Sequence, residues 1–287
     1  MTSHDCVGAV RRLLMTKKVG HGGTLDPMAE GVLPIAVGRA TRLLPYLPPG
    51  KAYEAVIRFG VTTTTDDLEG TLLSRQPANA LTLSAIEAAL PQFLGEITQI
   101  PPAFSAIQMQ GQRLYALARR GQIVTPPSRQ VSVHHLEIKN WQPADYPELT
   151  LAIACGPGTY IRSIARDLGQ LMGTGATLAH LKRTHSGGFA LAQSLTLEQI
   201  TAQVNAQTLA LEPPEIVLSY LPSVALAPDL ARRWQQGQKL SPPCALVPDT
   251  PYRVLNATTQ NFLGIGQLET QADGSILKAK MVFQSWC

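Results

Sequence analysis

The sequence predicts a mixed α/β chain of the α+β kind, with a small β-rich appendage at its C-terminal end. Three observations predict it. Residues 51–60 alternate as a half-buried strand does, with Tyr53, Ala55, Ile57 and Phe59 on one face and Glu54 and Arg58 on the other. After Gly156-Pro157-Gly158 the period becomes helical, and Ile161, Ile164, Ala165, Leu168, Leu171 and Met172 share one face. Beyond Leu211 the composition shifts: Glu212-Pro213-Pro214, Leu221-Pro222 and Pro242-Pro243 punctuate the chain, and three alternating stretches follow.

Taken in order, Thr2-Ser3 followed by apolar Cys6, Val7, Val10, Leu13 and Leu14 predicts an N-capped amphipathic helix ending near Lys17-Lys18. Ser84-x-x-Glu87 has the form of a capping box and opens a helix through Phe93. Pro101-Pro102 breaks regular structure, after which Leu114, Leu117 and Ala118 have helical spacing up to Gly121. Residues 131–141 and 149–155 are expected strands, and a helix is expected around 197–204. In the appendage, 230–236 reads as a short helix with Arg232-Arg233. Residues 252–255, 262–268 and 276–283 alternate as strands, with Asp273-Gly274 as a hairpin signal.

A length of 287 residues allows a sizeable core and more than one domain, and 45% hydrophobic content is that of an ordinary globular protein. Twenty-four Lys and Arg against 20 Asp and Glu leave +4, which favours a polyanionic partner without requiring one. No apolar run is long enough to span a bilayer, and no signal peptide opens the chain. Cys6, Cys155, Cys244 and Cys287 form no C-x-x-C pair, and the six histidines have no metal-ligand spacing. The expectation is a reduced, metal-free, cytoplasmic protein.

The stretch Gly20 to Pro34 holds four glycines and two prolines, which disfavour a regular helix or central strand and leave an ordered loop. Its centre is Asp26-Pro27. Either the turn presents the Asp26 carboxylate for chemistry, or Asp26 caps a helical turn over Pro27 to Glu30. Arg162 falls in the first turn of its expected helix, where a cation is disfavoured unless an anion lies close. That anion is a nearby carboxylate or phosphate, or simply Asp167.

The run His21-Gly-Gly-Thr-Leu-Asp26-Pro27, with Ala29-x-Gly31-Val-Leu-Pro34 and Gly38-x-Ala40-Thr41-Arg42, resembles the catalytic-aspartate motif of the tRNA pseudouridine synthase B (TruB) family. Gly158-Thr159-Tyr160-Ile161-Arg162 and Lys51-Ala52-Tyr53 resemble two further motifs of that family. The resemblance implies isomerisation of uridine 55, in the TΨC loop of tRNA, to pseudouridine, with Asp26 as nucleophile or base and no cofactor. It implies that Arg162 pairs with Asp26, that Tyr53 stacks on the target uracil and that Tyr160 lies in the pocket. Leu181 would lie against the base, with Arg183 close to the site and His21 beside the loop. It also implies a pseudouridine synthase fold with a mixed, largely antiparallel sheet around an RNA cleft, in residues 1–211. A thumb-like insertion at about 99–130, with Arg113, Arg119, Arg120 and Arg129, would grip the tRNA arm, and the family's usual Lys is replaced by Gln108. Residues 222–287 would form a PUA-like RNA-binding domain, and the protein would act as a monomer. Family members carry a further strand and a Lys-Pro-x-Gly turn before the Thr2-Ser3 position, which would add a sheet edge and RNA contacts.

Two rival readings have distinct signatures. A glycoside or nucleoside hydrolase also cleaves at an anomeric carbon, but most use two facing carboxylates, and Glu30 is the only candidate near Asp26. A noncatalytic tRNA-folding protein would bind tRNA and leave its nucleosides unchanged.

Overall fold

Strand alternation becomes one seven-stranded sheet in the computed structural model, which describes residues 1–105, 108–109, 112–113, 126–213, 215–271 and 274–283. The expected helix at 114–121, Arg119, Arg120, the side chains of Gln108 and Arg113, and Asp273 lie outside the described residues.

The sheet strands are β1 (Glu30–Gly31), β2 (Lys51–Phe59), β3 (Gly95–Gln99), β4 (Arg129–Gln142), β5 (Glu148–Cys155), β6 (Ala176–Ser186) and β7 (Phe189–Ala190). Their order is β7-β6-β2-β5-β4-β3, antiparallel throughout, with β1 added parallel to β6. The sheet is therefore mixed and largely antiparallel. In β2, Tyr53, Ala55, Ile57 and Phe59 are all buried, as the alternation requires. Their register partners on β5 are Ile153 for Tyr53, Leu151 for Ala55 and Leu149 for Ile57. On β6, Arg183 lies opposite Tyr53 and Leu181 opposite Ala55. Directly opposed residues share a face, so the register itself brings Tyr53 and Arg183 together.

The helices are α1 (Ser3–Leu13), α2 (Leu83–Ala89), α3 (Ile161–Leu171), α4 (Leu197–Asn205) and α5 (Pro228–Gln235). Helix α3 packs on β6 through Ile161, Ile164, Ala165 and Leu168. A Cβ at Gly169 would overlap Ala176 at the start of β6, so glycine sets how closely helix and strand approach. Leu171, expected on the buried face, is 44% exposed.

Two helix boundaries differ from expectation. Helix α1 stops at Leu13, and Met15 takes a positive φ of 47°, so Lys17-Lys18 lie beyond it. Helix α2 is capped by Thr82, whose hydroxyl accepts from the Ala85 amide at 3.3 Å, and Ser84 is already inside it. Pro91 has no N–H to continue the ladder, and residues 90–93 tighten into a 3₁₀ turn.

The chain folds as two compact units, residues 1–3, 23–34 and 49–194 in one and 4–22, 35–48 and 195–287 in the other. In the second, Val7 and Val10 of α1 cluster with Val19 and Leu197. A hairpin of Val19–His21 with Ile35–Val37 leads into a 3₁₀ helix, Gly38–Tyr46. The C-terminal strands β8 (Ser223–Leu226), β9 (Pro251–Asn256), β10 (Phe262–Gln271) and β11 (Gly274–Val282) form a sheet in that order, with β8 parallel to β9. Leu226, Trp234, Val254 and Leu277 are fully buried in its core.

Candidate active site

Asp26 sits in a tight turn closed by its own backbone. The Ala29 amide donates to the Asp26 carbonyl at 2.9 Å, so the main chain makes the turn and the carboxylate is left for another partner. That partner is Arg162, the second residue of α3. Its Nε donates to Asp26 Oδ2 at 2.9 Å and its Nη2 to Oδ1 at 3.1 Å, a bidentate pair between residues 136 apart in sequence. Neither alternative, a helix cap at Asp26 or an Arg162–Asp167 pair, is what forms. Asp167 instead accepts from Arg166 at 2.8 Å.

The rest of the guanidinium is engaged as well. Nη1 donates to the Thr65 carbonyl at 3.0 Å and Nη2 to the Phe104 carbonyl at 3.2 Å. Nη1 also faces a second carboxylate, Asp67 Oδ2, at 3.6 Å. Side-chain exposure is 5% for Arg162 and 6% for Asp67 but 32% for Asp26, so the pair opens outward on the Asp26 side. Asp67 is held in turn: its Oδ1 accepts from the Thr65 hydroxyl at 2.5 Å and the Glu69 amide at 3.1 Å. Two carboxylates thus compensate a buried cation at the positive end of a helix.

Arg183 is fully buried, and it donates three hydrogen bonds to the Asp26 loop: Nε to the Val32 carbonyl at 2.8 Å, Nη1 to Thr24 at 3.2 Å and Nη2 to Gly23 at 3.0 Å. Those three bonds tie both ends of the loop to β6. Close packing of loop on strand demands glycine at 31, where φ is +106° and a Cβ would run into the Arg183 backbone. Tyr53 stands beside Arg183. Burial pushes its hydroxyl up to about 12; the Arg183 guanidinium opposes this, and the Asp26 charge adds a smaller upward push. Burial, assisted by the Arg183 charge, moves the Lys51 amine below its ordinary value. Leu181, 5% exposed, belongs to the core on the same face.

Tyr160 occupies the N-cap position of α3. The Gln99 amide clamps its backbone, donating to the Tyr160 carbonyl at 3.1 Å and accepting from its N–H at 3.0 Å, and the Arg129 guanidinium lies 4.7 Å from its ring centroid. Asp26, Tyr53, Tyr160, Arg162, Leu181 and Arg183 all belong to the first unit. His21 belongs to the second, where it pairs with Ile35. Sequence reading missed Asp67, Gln99 and the loop carbonyls. The one available signal for Asp67 was Asp66-Asp67 after four threonines, a turn pattern, together with the fact that five guanidinium donors exceed what one carboxylate accepts.

Residues 11–161 match the family model described as TruB family pseudouridylate synthase, N-terminal domain. The chain belongs to the TruB family. Two further TruB models match, tRNA pseudouridylate synthase B C-terminal domain at 162–221 and pseudouridine synthase II TruB, C-terminal, at 222–282. TruB relatives named tRNA pseudouridine synthase B include those of Acaryochloris marina, 57% identical over 98% of this chain and 94% of the relative, and Trichormus variabilis, 53% identical over 99% and 94%. Among solved structures, an H/ACA RNP bound to a substrate RNA containing 2′-deoxyuridine has a similar chain, with a TM-score of 0.73 and 22% identity over 99% of this chain and 82% of that one. A Cbf5-Nop10-Gar1 complex gives 0.73 and 23%, with the same coverage. At that identity the likeness is one of fold.

Proposed function

We infer that this chain isomerises uridine to pseudouridine in tRNA, acting on uridine 55 of the TΨC loop with Asp26 as the catalytic carboxylate. The observation that carries the reading is the bidentate Arg162–Asp26 pair in a TruB chain. Such a pair fixes the carboxylate at an orientation, and orientation is what a nucleophile or base contributes beyond its charge. In the reaction the uracil N1–C1′ bond breaks, the base turns, and C5 bonds to C1′; the C5 hydrogen leaves as a proton and N1 gains one. Asp26 acts on the ribose or base while that exchange takes place. No redox partner is required for the balance.

Roles for the other residues follow from their surroundings. Tyr53 offers its ring to the flipped uracil, with Leu181 behind it, and Tyr160, clamped by Gln99, bounds the pocket. Arg183 is a positioning residue for the loop, because its donors already serve three carbonyls. His21 and the insertion at about 99–130 take the rearranged RNA and the tRNA arm, and residues 222–287 supply a further RNA-binding module beyond the catalytic part, 1–211. The protein acts as a monomer, and the tRNA substrate supports a cytoplasmic location.

The hydrolase reading needs a second carboxylate facing Asp26 across the substrate. Asp67 lies on the Nη1 side of Arg162, away from Asp26, and Glu30 pairs with Lys182 at 3.5 Å. The test is tritium release from tRNA transcripts labelled at uracil C5. About one equivalent is expected, reduced by ~10³-fold or more in rate for Asp26→Asn and absent when the TΨC-loop target is changed to cytidine. Free uracil among the products, or an Asp26→Asn rate close to that of the unaltered chain, would overturn the assignment.

A further inference from the structure

Besides the insertion at about 99–130, one further part of the chain carries a surplus of positive charge. Residues 4–22 and 35–48 carry six Lys and Arg against a single acid, Asp5, whereas the whole chain has a net charge of only +4. Within the second unit, Lys18, Arg39 and Arg42 line a cavity of about 550 Å³ together with Gly38, Thr41, Gln235 and Val282, and among the described residues no carboxylate is in its wall.

Local structure explains the convergence. Arg39 and Arg42 belong to the 3₁₀ helix Gly38–Tyr46, and with three residues per turn positions i and i+3 eclipse, so both project from one face. The Gly38 amide donates to the Lys18 carbonyl at 2.7 Å, which pins the lysine at the start of that helix. All three cations are exposed. Bringing them around one concavity raises the local potential, and a mobile polyanion relieves it by displacing counterions.

We propose that this cavity is a second RNA-backbone site, taking two or three consecutive phosphodiesters of the tRNA through Lys18, Arg39 and Arg42, with Thr41 and Gln235 as neutral hydrogen-bonding groups. The proposal rests on the tRNA reading above and adds an anchoring point in the second unit. Arginine forks suit phosphate oxygens, and such binding is indifferent to base sequence.

The experiment measures binding of the full chain to an unmodified tRNA transcript between 50 and 200 mM salt. It compares the unaltered protein, the cavity variant Lys18→Gln/Arg39→Gln/Arg42→Gln, and a control, Arg58→Gln/Arg75→Gln/Lys139→Gln. The control removes equal charge from cations paired with Glu148, stacked on Tyr146 and paired with Glu137. The expected result is affinity at least tenfold weaker for the cavity variant. Its slope of log K against log salt should be shallower by about 0.7–0.9 for each phosphate that is no longer neutralised, with little change in the control. Thermal unfolding midpoints should stay together, since none of the altered residues is buried. Equal slopes for all three proteins, equal losses in variant and control, or no tRNA binding by the unaltered chain would overturn the proposal. Failure of the activity reading shows separately, as absence of tritium release from a tRNA that binds with the expected salt slopes.

Discussion

At Arg162 a cation occupies the end of a helix where the dipole disfavours it by a few tenths to about 1 kcal/mol, and it is almost fully buried as well. Asp67 is one reason it stays. With Asp26 on one side of the fork and Asp67 on the other, removing Asp67 loosens the guanidinium that aims Asp26. Asp67→Asn, close to isosteric, is expected to lower kcat by about 10- to 100-fold with a smaller change in KM. Single-turnover tritium release over a range of enzyme concentrations separates the two parameters, and an unchanged kcat would remove Asp67 from the mechanism. Tyr53 gives a pH prediction. Its folded value of about 12 exceeds the ordinary 10, so the folded state holds the hydroxyl proton more tightly. The stability it contributes is complete below pH 10 and is lost as pH rises from there through 12. Comparison of unfolding midpoints across pH 9–12 with Tyr53→Phe should show the variant less pH-dependent; parallel curves would contradict the burial of that hydroxyl.

Among the elements, the loop around Asp26 depends on its two anchors, α3 through Arg162 and β6 through Arg183. Neither anchor is local in sequence, and each contributes hydrogen bonds that a glycine-rich loop cannot make to itself. Helix α2 is a simpler case, since its start is set by one hydroxyl. Thr82→Ala should cost about 1 kcal/mol, whereas Ser84→Ala, inside the helix, should stay within about 0.5 kcal/mol. Denaturant unfolding of the pair decides between a cap at Thr82 and the capping box that the Ser84-x-x-Glu87 pattern suggests.

Among the described residues two large hydrophobic cores stand out, one under the seven-stranded sheet and one around Trp234, beside the smaller cluster of Val7, Val10 and Val19. Separate cores in one chain predict departure from two-state melting. Leu226→Ala, at a fully buried position of the second core, should cost about 2–5 kcal/mol and lower one calorimetric transition. Leu151→Ala, in the first, should lower the other. If both substitutions moved a single transition together, the cores would be unfolding as one cooperative unit.

Alternation and helical period were legible without coordinates because they report a local choice, which side of a strand or helix meets water. Residues 51–59, 148–155 and 161–171 fall where the pattern puts them. Motif wording carried the family and the pairing of Asp26 with Arg162. Periodicity carried neither, because a pairing across 136 residues leaves no trace in local spacing. Helix ends were less legible: two hydroxyls, Thr82 and Ser84, can cap α2, and backbone geometry selects between them. Asp67, Gln99 and the loop carbonyls on Arg162 and Arg183 were invisible for the same reason as the sheet order. By itself the sequence determined which segments are strand or helix and which side chains have the chemistry. Only the tertiary structure decided that Arg183 serves the loop and Arg162 two carboxylates at once, because a buried guanidinium must satisfy its donors with whatever acceptors the folded chain brings within reach.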